Sequence, residues 1–173
     1  MQFIKTREVK SPIRNPEENA GIDFFIPECN IELIKSLDAK NNGTNGIFAN
    51  GSYLLDGVIH IAPGKDVIIP SGIRSKFAKN LALIANNKSG VATKKKLIFG
   101  ASVIDTSYQG EWHFHLFNLS DDYQTVACGE KVIQFIPHVI SMDEIEILDL
   151  TPEEFYTEKT SRGDGWQGST GIQ

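Results

Sequence analysis

The chain has 173 residues, 40 % hydrophobic and 23 % charged, with a formal net charge of −5. That length suits one domain with a packed core, and the composition is ordinary for a soluble globular protein. No apolar run is long enough to span a bilayer, and an acidic chain lacks the basic face that broad nucleic-acid binding needs, so neither membrane nor nucleic acid is expected as a partner.

The N-terminus, Met1-Gln2-Phe3-Ile4-Lys5, has no apolar core of a signal peptide. Ile22-Asp23-Phe24-Phe25-Ile26 reads as a short strand stopped by Pro27. From about residue 30 to 57 the alternation fades around Asn41-Asn42-Gly43-Thr44-Asn45-Gly46, which predicts a surface insertion with a short helix over Ile31–Leu37. Val58–Ile61 and Asp66–Ile69 are β-branched strands split by the turn signal Pro63-Gly64. Leu81–Ile84 and Leu97–Phe99 follow as buried strands, and the run Lys94-Lys95-Lys96 between them reads as a solvated turn. Val103 to Glu111 has an apolar approach, a polar turn and a glycine exit, the pattern of a hairpin. From Gly110 to Leu119 the chain alternates, with Trp112, Phe114 and Leu116 on one face and His113 and His115 on the other. Val132–Ile136 and Ile145–Leu148 are the last predicted strands, and Thr151 is the N-cap of a brief helix starting at Pro152. Many short strands with Gly, Pro and Asn punctuation indicate an all-β sandwich or barrel. Cys29 and Cys128 stand in no metal-like spacing, which suits a reduced, cytoplasmic protein.

The C-terminal run Arg162-Gly163-Asp164-Gly165-Trp166-Gln167-Gly168-Ser169-Thr170-Gly171 suits neither helix nor strand. Glycine lets main-chain N–H groups approach a ligand closely, and arginine adds a planar fork matched to phosphate. The segment reads either as a flap over a phosphorylated ligand or as a Gly-rich tail. Four further segments carry site chemistry: Ala20-Gly21-Ile22-Asp23, Asn87-Lys88-Ser89-Gly90, Val103-Ile104-Asp105-Thr106-Ser107-Tyr108-Gln109-Gly110 and Gly129-Glu130-Lys131-Val132-Ile133-Gln134. Singly, each fits a structural role as well.

In order and spacing, these four segments and the tail resemble the five motifs of the trimeric dUTP pyrophosphatase (dUTPase) family. They are similar to A-G-x-D, R-S-G, G-V-I-D-x-x-Y-x-G, G-x-R-x-x-Q and R-G-x-x-G-F-G-S-T-G. Lys88 and Lys131 stand where the family has arginine, and Ser102 where it has glycine. The resemblance runs from about Ala20 to Gly171 and skips the insertion. Five motifs in register are far more specific than one Gly-rich loop.

The resemblance implies a distorted jelly-roll or β-barrel of antiparallel strands over residues 1–160, a C-terminal flap over 161–173, and a homotrimer with shared interface sites. It implies hydrolysis of dUTP to dUMP and pyrophosphate, which keeps uracil out of DNA and supplies dUMP for thymidylate synthesis. Asp105 would activate the attacking water as general base, and Asp23 would hold Mg2+ through water. Lys88, Ser89, Gly90 and Gln134 would contact the phosphates. Lys88 keeps the charge of the family arginine without its fork. Main chain around Phe99 and Gly100 would read the uracil edge, and Tyr108 would pack under the deoxyribose. Arg162 would reach the γ-phosphate, joined by Gly168, Ser169 and Thr170. The family's base-stacking phenylalanine aligns with Gln167, and the nearest aromatic is Trp166, whose indole offers the larger stacking face.

Two alternatives accompany this expectation. A dCTP deaminase shares the fold, with Glu111 as the nearest candidate glutamate. A nucleotide-gated interaction protein would use the insertion at about 30–57 as its partner surface.

Overall fold

A computed structural model of the chain describes residues 1–15, 17–158 and 160. Among them the strands are β1 (Gln2–Lys5), β2 (Ile22–Phe25), β3 (Tyr53–Leu55), β4 (Val58–Ile61), β5 (Asp66–Pro70) and β6 (Ile73–Lys76). They continue as β7 (Leu81–Asn87), β8 (Leu97–Phe99), β9 (Val103–Ile104), β10 (His113–Asn118), β11 (Gln124–Ala127) and β12 (Lys131–Val139). The helices are α1 (Ile31–Asn41), α2 (Ser89–Lys94) and α3 (Pro152–Phe155).

Every strand pair is antiparallel. The sheets have the orders β2-β12-β7-β9, β5-β10-β8, β11-β4-β3 and β1-β6. The alternation along β10 works as expected: Phe114, Leu116 and Asn118 are buried while His113, Leu116's neighbour His115 and Phe117 are half-buried. Phe24 on β2, Trp112 just before β10 and Phe135 on β12 meet at centroid distances of 5.0–5.2 Å across the core. Each such side chain contributes about 2–3 kcal/mol by leaving water.

The insertion is not the surface excursion its sequence suggests. Asn30 caps α1 by accepting from the Leu33 N–H at 2.9 Å, and Asn42 ends it in the left-handed region at φ 52°. The helix reaches Asn41 and buries Leu33 and Leu37, one turn apart, at 0 % exposure. Asn41 then pairs with the main chain of Ile68 on β5, accepting from its N–H at 2.8 Å and donating to its carbonyl at 2.9 Å. Phe48 is buried beyond the helix. The weak alternation therefore reflects a helical segment built into the core.

The compact unit spans Met1–Ser141, and a second unit begins at Met142. The strand expected at Ile145–Leu148 does not form. Ile145 and Ile147 are each 92 % exposed, and among the described residues the stretch pairs with no strand. Without a partner ladder, alternation alone makes no strand. In the same unit α3 forms as expected, with a capping box in which the Glu154 N–H donates to Thr151 Oγ1 and the Thr151 N–H donates to Glu154 Oε2. No described helix is long and apolar enough to cross a membrane.

Candidate active site

β12 brings the first and fourth motifs together. Gln134 is the cross-strand partner of Asp23 on β2 and, on its other side, of Asn86 on β7. The glycine of the first motif has a steric cause. A Cβ at Gly21 would stand 2.8 Å from Gln134 Oε1 and 3.0 Å from Gln134 Cβ. Only glycine lets this amide lie against the strand.

Asp23 is 5 % exposed and carries two ion pairs. Lys88 Nζ lies 2.5 Å from its Oδ1 and Lys131 Nζ 2.8 Å from its Oδ2. Burial pushes the Asp23 carboxyl up, but the hydrogen bonds and charges of Lys131 and Lys88 outweigh it and hold the group below the usual carboxylate value. Thus the two lysines that replace motif arginines converge on one carboxylate.

Beside this pair lies a cleft of about 440 Å³, lined by Lys88, Ser89, Gly90 and Gln134 together with Asn19, Val91, Lys94, Lys95 and Glu130. α2 starts at Ser89 and carries Lys94 in its last turn. Lys95 is turned inward, donating to the Thr125 carbonyl at 2.9 Å and pairing with Glu130. The basic run therefore is more than a solvated turn: two of its three lysines line the cleft. Three ammonium groups against one carboxylate make this a locally cationic wall on an acidic chain, suited to a phosphate chain.

Among the described residues, Asp23 offers no free oxygen for direct coordination of a cation. Both oxygens of Asp23 are taken by lysines, and no group of three or more His, Cys, Asp or Glu side chains that could hold a metal occurs among the described residues. Two ammonium groups on one carboxylate repel a divalent ion.

The third motif lies on a different path from the one expected. β8 pairs with β10, whereas β9 pairs with β7. β10, which follows the turn, lies in the sheet of β5 and β8, so the two arms of the expected Val103–Glu111 hairpin join different sheets instead of pairing with each other. The polar turn is real: the Tyr108 N–H donates to the Asp105 carbonyl at 3.1 Å. Asp105 and Tyr108 are exposed, and neither lines the cleft of this subunit. The Phe99 N–H donates to Asn87 Oδ1 at 2.8 Å and the Gly100 N–H to the His115 carbonyl at 2.8 Å. Asn87 also accepts from Gln134 Nε2 through its carbonyl at 3.4 Å, so it connects the second and fourth motifs with Phe99 on β8. It precedes Lys88 in the sequence, and only the fold reveals this role. Arg162, Trp166, Gln167, Gly168, Ser169 and Thr170 lie outside the described residues.

A family model described as dUTPase matches residues 55–171. The chain belongs to the dUTPase family. It is 34 % identical over 158 residues to the deoxyuridine 5'-triphosphate nucleotidohydrolase of Actinobacillus pleuropneumoniae, covering 88 % of this chain and 91 % of that one. The enzyme of the same name from Yarrowia lipolytica is 31 % identical over 163 residues, covering 94 % and 83 %. Among solved structures, a Staphylococcus bacteriophage 80alpha dUTPase with dUPNHPP superposes with a TM-score of 0.71 over 99 % of this chain and 98 % of that chain, at 16 % identity. A mutant dUTPase from phage phi11 of S. aureus, described as revealing coordination of a structural Mg(II) ion, gives a TM-score of 0.63 over 87 % of this chain and 97 % of that one, at 16 % identity. These likenesses fix the family fold as the jelly-roll of the dUTPases.

Proposed function

We propose that this chain hydrolyses dUTP to dUMP and pyrophosphate by attack of an activated water on the α-phosphorus. The observation that carries the reading is the cationic cleft on which the second and fourth motifs converge, with the first motif's Asp23 locked to Lys88 at its side. An anionic triphosphate repels a nucleophile, so neutralising and aligning the phosphates is most of the catalytic task. Lys88, Ser89, Gly90 and Gln134 line the cleft and are assigned to the phosphate chain. Asp105, exposed at the turn after β9, is assigned as general base, and Tyr108 as the surface under the deoxyribose. Phe99 and Gly100 present the main chain assigned to the uracil edge.

The cleft and the Asp105 turn do not share one pocket in a single subunit, which supports the proposal of a homotrimer whose sites draw on more than one chain. The domain layout belongs to the same proposal: a β domain over 1–160 and a flap over 161–173. Arg162, Gly168, Ser169 and Thr170 are assigned to the phosphates, and Trp166, with Gln167 beside it, to the base. Magnesium enters as a companion of the triphosphate oxygens, because Asp23 is already paired with two lysines. The two free cysteines support a reducing, cytoplasmic setting. Within the insertion Leu33, Leu37 and Phe48 serve the core, whereas Ile31, Ile47 and Leu55 are exposed.

The test is pyrophosphate release from dUTP, dCTP, dTTP and UTP, with and without magnesium. Rapid release from dUTP alone is expected. Ammonia from dCTP, with no pyrophosphate from dUTP, would replace this reading with the deaminase.

A further inference from the structure

We propose that the Arg7–Glu111 pair is a positioning device for Tyr108, and through it sets the choice between a 2′-deoxyribose and a ribose triphosphate. This rests on the dUTP reading above. Tyr108 is 41 % exposed, so core packing does not fix its ring. An exposed tyrosine samples several rotamers, and a sugar-excluding surface has to stay in one. Two local contacts hold it. Its hydroxyl donates to the Glu111 main-chain carbonyl at 2.9 Å. Its ring end lies over Gly110, where a Cβ would stand 2.6 Å from Tyr108 Cζ. Glycine at 110 therefore makes room for the folded-back ring.

The acceptor is braced in turn. Arg7 grips the Glu111 carboxylate with both ends of its fork, Nε to Oε1 at 2.8 Å and Nη2 to Oε2 at 2.7 Å. The Gly72 N–H donates to the same Oε1 at 2.7 Å. The pair is largely buried, with side-chain exposures of 11 % and 16 %. A buried ion pair adds little net stability compared with apolar packing, so its service here is geometry. Arg7 Nη1 also donates to Ser36 Oγ at 3.2 Å, which ties the inserted helix α1 to the same support. Residues from the N-terminus and the insertion, outside every motif, thus converge on the motif tyrosine.

The experiment measures kcat/KM for dUTP and UTP in the full-length wild type, in Tyr108→Phe, in Arg7→Lys and in the double variant, with unfolding midpoints alongside. Tyr108→Phe keeps the ring and removes only the tether, at an exposed site where folding is not at risk. The dUTP/UTP ratio is expected to fall about five- to tenfold, the scale of one lost hydrogen bond. Arg7→Lys, which keeps the charge and breaks the fork, is expected to lower the ratio similarly, and the double variant no further than either. A merely structural pair would shift the unfolding midpoint and leave the ratio alone. An unchanged ratio in Tyr108→Phe, or losses that add in the double variant, overturns the proposal. Absence of dUTP turnover in the wild type would instead remove the function it rests on.

Discussion

Asp23 and Gln134 face each other across the β2–β12 ladder, so the first and fourth motifs occupy one position in the fold although they stand near opposite ends of the sequence. Lys131 reaches Asp23 from the same strand that carries Gln134, and Lys88 reaches it from the end of β7. The ladder register thus places Lys131 and the Gln134 amide on one strand beside Asp23, with Lys88 just beyond the end of the neighbouring strand β7.

Gly21→Ala tests the contact that makes this glycine necessary. The added methyl group meets the Gln134 side chain at 2.8–3.0 Å. The amide end of Gln134 is flexible and shifts, so folding survives at a cost of about 1–3 kcal/mol. The KM for dUTP is expected to rise about tenfold, the scale of a displaced charge-facing hydrogen bond. A KM like that of the wild type would show that Gln134 does not bind the substrate.

Asp23→Asn leaves Lys88 and Lys131 without their carboxylate. A loss of about 2 kcal/mol is expected at pH 7, below the full cost of breaking a buried pair because Lys131 is partly exposed. The sign with pH follows from the shift. Burial raises the Asp23 pKa, Lys131 and Lys88 lower it further than burial raises it, and the folded value lies below the unfolded one. The stabilisation is full above about pH 4 and disappears as the pH falls through the folded value. Urea unfolding at pH 7, 5 and 3 should show the gap between wild type and variant closing at the acid end. A gap as large at pH 3 as at pH 7 would contradict the pairing.

Asp105→Asn removes the proposed general base while keeping the shape of the turn. Turnover is expected to drop by about a hundredfold to ten-thousandfold, with affinity for a non-hydrolysable dUTP analogue retained in calorimetry. Turnover within tenfold of the wild type would take Asp105 out of this role.

Truncation before Arg162 examines the Gly-rich tail. The core lies within Met1–Ser141, so the unfolding midpoint should stay within a few degrees of the full-length protein. Turnover should fall by more than a hundredfold if the tail supplies the γ-phosphate arginine and the lid. Normal turnover in the truncated chain would refute the flap.

The two cysteines give a labelling prediction. Burial pushes the Cys128 thiol up to about 12, helped by the charge of Cys29 and a hydrogen bond with it. Cys29 is exposed. Iodoacetamide at pH 8 should modify Cys29 in the native protein and Cys128 only after unfolding. Equal labelling of both in the native state would contradict the raised thiol pKa of the half-buried Cys128.

The strands flanked by Gly and Pro were legible because period-two alternation and turn residues report local geometry: Val58–Ile61 and Leu97–Phe99 form with the expected ends. The site was legible where the chemistry is contiguous, as in Lys88-Ser89-Gly90. Asn87 and Glu111 escaped because their roles depend on partners brought by the fold, Phe99 and Gln134 for one, Arg7 and Gly72 for the other. Ile145–Leu148 shows the converse error. Its alternation is genuine, but none of the described strands pairs with it.

The burial of Leu33 and Leu37 has a consequence for anyone exchanging parts between related proteins. An inserted segment invites treatment as a cassette, cut at its ends and replaced. Here the excision would open a hole beneath β5, because the helix that looks added on is one wall of the interior. A viable chimera has to graft in the apolar pair and Asn41 as a set. On α1, free variation is confined to the exposed Ile31, Glu32, Lys35, Ala39 and Lys40.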